Sequence, residues 1–133
     1  MMYLLDTNVC IGFLNGSNDQ ILRQFQSHNP SELILCSVVK AELLFGARNS
    51  QRVEHNLQRL KSFFAPLNSL FFDDNAAEHY ALIRADLQMQ GKPIGENDLM
   101  IAAIARANEV ILVTHNTSEF GRVAALMLED WEA

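Results

Sequence analysis

The chain is poor in residues that interrupt or staple a fold. Three prolines (Pro30, Pro66, Pro93) and six glycines leave no Pro/Gly-rich linker, and each proline falls between periodic segments. Only two cysteines occur, Cys10 and Cys36, both inside apolar patterns. That excludes a disulfide framework and fits a reduced, cytoplasmic setting with both thiols in the core. No apolar run approaches the roughly 20 residues of a membrane span. The longest, Leu99–Ala105, has seven residues. Met1–Leu5 has no basic leader and meets Asp6 at once, so no signal peptide is expected. Basic residues are also scarce: 10 Lys+Arg against 16 Asp+Glu give a formal net charge of −6. A protein that coats polyanions is thereby disfavoured, but an enzyme that touches nucleic acid at one small site is not. The basic residues are scattered, with no aromatic-rich basic stripe on which single strands could stack.

What is present is a core-forming pattern. The 133 residues are 49% apolar, enough for one well-buried domain over 1–133 and too much for disorder. Short apolar runs at Met2–Leu5, Leu33–Cys36, Leu70–Phe72, Val110–Thr114 and Leu126–Leu128 read as strands. Between them, spacings of three and four residues predict helices over Thr7–Leu14, Gln20–Ser27, Val38–Ala47, Arg52–Phe64 and Ala76–Gln90. Gly91 closes the last of these, and Leu99–Ala107, apolar on nearly every side, reads as a buried helix. Strands separated by helices give an α/β fold with a mostly parallel sheet. In such sheets a ligand site lies beyond the carboxyl ends of the strands.

Acidic residues occupy those ends. Asp6 follows the first strand, and Glu42 lies in the second turn of the helix after the second strand. Asp98 opens the buried helix, which only Asn108-Glu109 separates from the next strand. So tight a link makes the helix antiparallel to that strand and brings Asp98 to the same edge as Asp6. Asn116 and Glu119 follow the strand, also on that edge. Asp6 and Asp98 could each be a helix N-cap, and Glu119 a solvated charge. Glu42 is harder to explain structurally. With Ser37 as cap it lies beyond a capping-box position, it shares a face with Val38 and Phe45, and no Arg or Lys stands three or four residues away. Carboxylates about 5 Å apart repel by roughly 3 kcal/mol per pair at an effective dielectric near 20, so such a cluster needs compensation. Oxygen-only donors select Mg²⁺ or Mn²⁺ over zinc, and His115 has no second His or Cys at ligand spacing. An acidic site of this kind suits phosphoryl transfer.

Four motifs in order complete the pattern. They are Leu5-Asp6-Thr7-Asn8, Ala41-Glu42-Leu43 with Gly46, Gly95-Glu96-Asn97-Asp98 followed by Ile101-Ala102-Ala103, and Val113-Thr114-His115-Asn116 with Glu119-Phe120. Together with the ending Leu128-Glu129-Asp130-Trp131, the set resembles the PIN-domain ribonucleases over the whole chain, and more closely the VapC-type toxins. The resemblance implies a three-layer fold with a parallel sheet in order 3-2-1-4-5, and Mg²⁺- or Mn²⁺-dependent endonucleolytic cleavage of a structured RNA such as tRNA or rRNA. It implies Asp6 and Asp98 as principal metal ligands and Glu42 as a ligand or holder of metal-bound water, with Asn8 and Thr114 orienting the carboxylates. A homodimer and a cognate, VapB-like antitoxin with a basic segment are implied as well. One departure is Asn116, where many PIN domains have an acid. Either Glu119 supplies the fourth acidic group or a second metal is weakly held. Lys40, Arg48 and Lys92 are candidates for phosphate contacts.

Rival readings lack residues. A phosphorelay receiver would use Asp73-Asp74 after the third strand, but Asp6 stands alone and Leu126–Ala133 has no Lys. A haloacid-dehalogenase-type phosphatase needs an Asp where Asn8 stands. The non-enzymatic alternative is a catalytically weak PIN-like binding module acting with a DNA-binding partner, and only Asn116 favours it.

Overall fold

A computed structural model describes residues 1–133. The chain runs β1 (Tyr3–Leu5), α1 (Thr7–Asn15), α2 (Asp19–Ser27), a 3₁₀ turn at Pro30–Glu32, β2 (Leu33–Cys36) and α3 (Ser37–Arg48). It continues through α4 (Val53–Phe64), β3 (Asn68–Leu70), α5 (Asp74–Met89), α6 (Glu96–Ala107), β4 (Ile111–Val113), α7 (Thr117–Phe120) and β5 (Leu128–Glu129). The five strands form one parallel sheet in the order β3-β2-β1-β4-β5, as the sequence resemblance implies, flanked by helices. The central strands are apolar on both faces, as a sheet covered on both sides requires; β2 is buried at every residue. No helix is long and apolar enough to cross a membrane.

The strand order reverses between β1 and β4. These two strands pair in the register Tyr3↔Ile111, Leu4↔Leu112 and Leu5↔Val113. The helix that feeds β4 is the most deeply buried. In α6, Leu99, Ile101, Ala102, Ala103, Ile104 and Ala105 are all buried, and the alanines permit close packing along α5. The helix stops in a Schellman turn: Val110 N–H donates to Ala105 O at 3.2 Å and Glu109 N–H to Arg106 O at 3.3 Å. Glu109 adopts a left-handed φ of 54° there, a conformation that favours glycine. This turn sends the chain straight back into β4, so the start of α6 and the end of β4 share one edge.

Two local expectations need correction. The third strand is Asn68–Leu70 and not Leu70–Phe72; Phe71 and Phe72 lie beyond it, 71% and 37% exposed. An edge strand needs backbone pairing on one side only, so polar Asn68 and Ser69 serve, and apolar character misplaces it. Cys36, not Ser37, is the N-cap of α3, and the Ser37 hydroxyl instead donates to Leu70 O at 3.3 Å. Asp73 caps α5 by accepting Ala76 N–H at 2.9 Å. That contact accounts for the acid which a receiver would use as phosphoacceptor. Trp131, 2% exposed, packs against the rings of Tyr3, Phe25 and His28.

Candidate active site

Where β1 and β4 end, the next residue of each is polar: Asp6 and Thr114. They are the only buried polar residues in the chain, at 8% and 0% exposure. The register places them side by side, and the Thr114 hydroxyl donates to Asp6 Oδ2 at 2.7 Å. Thr114 Oγ1 in turn accepts the Asn116 N–H at 3.0 Å, which leaves its own proton directed at Asp6. The other Asp6 oxygen accepts Thr7 N–H at 2.9 Å and caps α1, so capping and membership of the acidic group coexist.

Glu42 comes from α3. That helix buries Val39, Leu43 and Ala47, a stripe of four-residue spacing, and Glu42 lies off it, half-buried. Phe45, expected to share a buried face with Glu42, is 70% exposed. The expectation fails because α3 buries only one narrow stripe, and apolar residues outside it remain in solvent. Glu42 nevertheless has a partner: Oε1 accepts the Thr7 hydroxyl at 2.6 Å.

Asp98 stands in the first turn of α6, whose N-cap is Gly95, so Asp98 is not the cap. Its carboxyl is pushed up from 3.8 to about 6, first by burial and then by the negative charges of Asp6, Glu42 and Glu119. Asp6 is also raised by burial, against the pull of its hydrogen bonds from Thr114 and Thr7, with the charge of Glu42 adding to the rise. Asp6, Glu42 and Glu119 thus lie near enough to act electrostatically on Asp98, though their oxygens do not close to within 4.8 Å of one another as those of His115, Asp130 and Glu132 do. Glu119, on α7, is held by Asn116, whose Nδ2 donates to Oε2 at 3.0 Å. The only ion pairs in the chain join Arg84 to Glu96 and His115 to Asp130 and Glu132. None reaches the four acids, so the group has no internal counter-charge.

Comparison with known proteins decides what this edge belongs to. The PIN domain family matches residues 3–126. The chain is 40% identical to the tRNA(fMet)-specific endonuclease VapC of Shigella flexneri over 131 residues, 98% of each chain. The chain belongs to the PIN-domain family, among its VapC ribonucleases. Structures agree. DNA-bound VapBC from Salmonella typhimurium superposes with a TM-score of 0.92 at 36% identity, covering 98% of each chain. VapBC2 from Rickettsia felis, bound to a promoter DNA fragment, gives 0.90 at 34% identity, covering 98% of this chain and 99% of that one.

Within this PIN domain, Asp6, Glu42, Asp98, Thr114, Asn116 and Glu119 gather at the edge where the strand order reverses. Asn8 does not orient the carboxylates as expected: it is exposed and lines a cavity with His115 and Asn116, and the residue that donates to Asp6 and Glu42 is its neighbour Thr7. Lys40 lies over the Phe64 ring, 5.1 Å from its centroid, which ties it to α4. His115 Nδ1 sits 3.1 Å from Asp130 and 3.8 Å from Glu132, a surface group separate from the four acids. Cys10 and Cys36 are fully buried, and burial pushes both thiols up, so they are core residues and not nucleophiles.

Proposed function

We propose that the chain is a metal-dependent endoribonuclease, the toxin of a toxin–antitoxin pair, acting on a structured RNA. The observation that carries this reading is a set of four acids with no cation among them, at the sheet edge where α/β folds place ligands. The donor set fits a hard divalent ion: every donor is a carboxylate or amide oxygen, and the raised Asp98 carboxyl is a charge that a cation would relieve. Asp6 and Asp98 would be its principal ligands, and Glu42 would complete the set or hold a water. A bound Mg²⁺ or Mn²⁺ supplies an activated water and stabilises the leaving oxygen of the phosphodiester. Thr114 fixes the Asp6 carboxylate in one orientation, so it needs no reordering when substrate binds. Asn116 does the same for Glu119 and contributes no charge of its own, which supports one tightly held ion and a second only with substrate.

An antitoxin partner has support in the shape of the surface. A cleft of about 250 Å³, lined by Ile11, Leu14, Leu43, Leu60 and Arg59, opens beside Glu42. Ile11, Leu44 and Phe45 are exposed large apolar residues on α1 and α3, the helices that wall it. A partner helix seated there would cover the approach to the acids, and a basic side chain on it would meet uncompensated charge. Several structural relatives are toxin–antitoxin complexes. The chain acts as a homodimer in this reading.

The test is cleavage of total bacterial RNA by antitoxin-free protein, wild type against Asp6→Ala, each with Mg²⁺, Mn²⁺ or EDTA. Discrete fragments from wild type alone, abolished by EDTA, support the reading, and tRNA is the first substrate to examine. Folded, metal-binding protein that cuts no RNA would instead favour a binding module.

A further inference from the structure

Thr7 makes two hydrogen bonds to two different acids. Its backbone N–H donates to Asp6 Oδ1 at 2.9 Å, and its hydroxyl donates to Glu42 Oε1 at 2.6 Å. The second bond spans 35 positions of sequence and joins α1 to α3. We infer that Thr7 is a positioning residue: its hydroxyl sets the Glu42 carboxylate relative to Asp6, so that both present free oxygen lone pairs to one cation. The inference rests on the metal-dependent reading above and assigns a role to a side chain outside the acidic set.

The local chemistry explains why this hydroxyl is available. A Thr inside a helix commonly turns its hydroxyl back to a carbonyl three or four residues earlier. Thr7 is the first residue of α1, and the residues before it belong to β1, whose carbonyls serve the sheet. Its hydroxyl therefore points outward and donates across to α3. Glu42 has no ion pair and stands at the margin of a solvent-filled cleft. A half-buried Glu with several rotatable bonds samples many rotamers unless one oxygen is fixed. With Oε1 occupied by Thr7, Oε2 is the oxygen left to face the cation. The Thr methyl leaves the hydroxyl few choices of χ1, and the backbone is held by the Asp6 cap. One residue thus couples the angle of Asp6 to that of Glu42.

The experiment measures Mn²⁺ affinity by calorimetry or electron paramagnetic resonance, together with RNA cleavage and thermal midpoint, in wild type, Thr7→Val, Thr7→Ala and Thr7→Ser. Loss of a residue that orients a metal ligand typically costs about 10-fold or more in metal affinity or rate. The expected result is Mn²⁺ binding weakened about 10-fold in Thr7→Val and Thr7→Ala, with kcat reduced and KM for RNA nearly unchanged. Thr7→Ser, which keeps the hydroxyl, stays within about threefold of wild type, since only a methyl is lost. A double-mutant cycle adds Thr7→Val to Glu42→Ala, which removes the acceptor of the Thr7 hydroxyl; the Thr7 effect on Mn²⁺ affinity should then largely disappear. Thr7→Val and Thr7→Ala with wild-type Mn²⁺ affinity would overturn the inference. So would Thr7→Ser as impaired as Thr7→Val, or fully additive effects in the cycle. Wild type that neither binds Mn²⁺ nor cuts RNA would overturn the metal-dependent reading itself, a separate result.

Discussion

Replacing Asp98 by Asn should abolish cleavage and yet make the metal-free protein more stable. Raising a carboxyl from 3.8 to about 6 costs about 3 kcal/mol of folding free energy once the group is ionised. Asp98 is only half-buried, so solvent screening reduces this to about 1.5 kcal/mol. The charge also gains about 0.5 kcal/mol from its place in the first turn of α6, and Asn forfeits that gain. About 1 kcal/mol remains, or roughly 4 °C in thermal midpoint for a domain of this size. The folded state holds its proton to a higher pH than the unfolded chain does. The penalty is therefore absent below pH 3.8, grows as pH rises, and is complete above about pH 6. Scanning calorimetry in EDTA should show the gain in Asp98→Asn at pH 7.5 and little of it at pH 4.5. Mn²⁺ at 100 times its dissociation constant should reverse the order, since wild type gains about 2.7 kcal/mol that the variant lacks. An Asp98→Asn protein that melts at or below wild type in EDTA at pH 7.5 would refute the claim that Asp98 carries uncompensated charge.

Other substitutions probe separate parts of the edge. Thr114→Val removes a fully buried hydroxyl that both donates to Asp6 and accepts from Asn116; denaturant unfolding should show a loss of about 1–3 kcal/mol, with cleavage also reduced. Calorimetry of the wild type should find one tight Mn²⁺ site, while Asn116→Asp, which adds a carboxylate beside Glu119, should gain a second. Two equivalent tight sites in the wild type would count against the role given to Asn116. Glu109→Gly should stabilise the fold by about 1 kcal/mol, because the left-handed φ of 54° favours glycine and the site is remote from the acids.

The parts of this molecule that were legible in its sequence are those where a strand must end. Leu4-Leu5 and Leu112-Val113 are buried on both faces, so the apolar run stops abruptly at Asp6 and Thr114, and the break is visible without coordinates. The two-residue link after α6 carried enough geometry to bring Asp98 to that edge. What stayed hidden depends on neighbours distant in the chain. Asn8 and Thr7 are both small and polar, and only the angle at which α1 leaves its cap determines which one meets Glu42. The exposure of Phe45 follows from how narrowly α3 is covered, which its own periodicity does not report. The bounds of β3 are not legible because an edge strand is held by backbone pairing and asks little of its side chains.

The strand order has a consequence for biosynthesis. Asp6 is made early relative to its hydroxyl partner Thr114, which lies 108 positions later. The central strand β1 cannot find its neighbour β4 until the residues through Val113 have left the ribosome. A nascent or prematurely terminated chain that stops before α6 holds Asp6 and Glu42 but neither Asp98 nor the strand that fixes Asp6. Whatever this edge does, it is done only once β4 has been made, so the topology itself delays activity until both halves of the sheet exist.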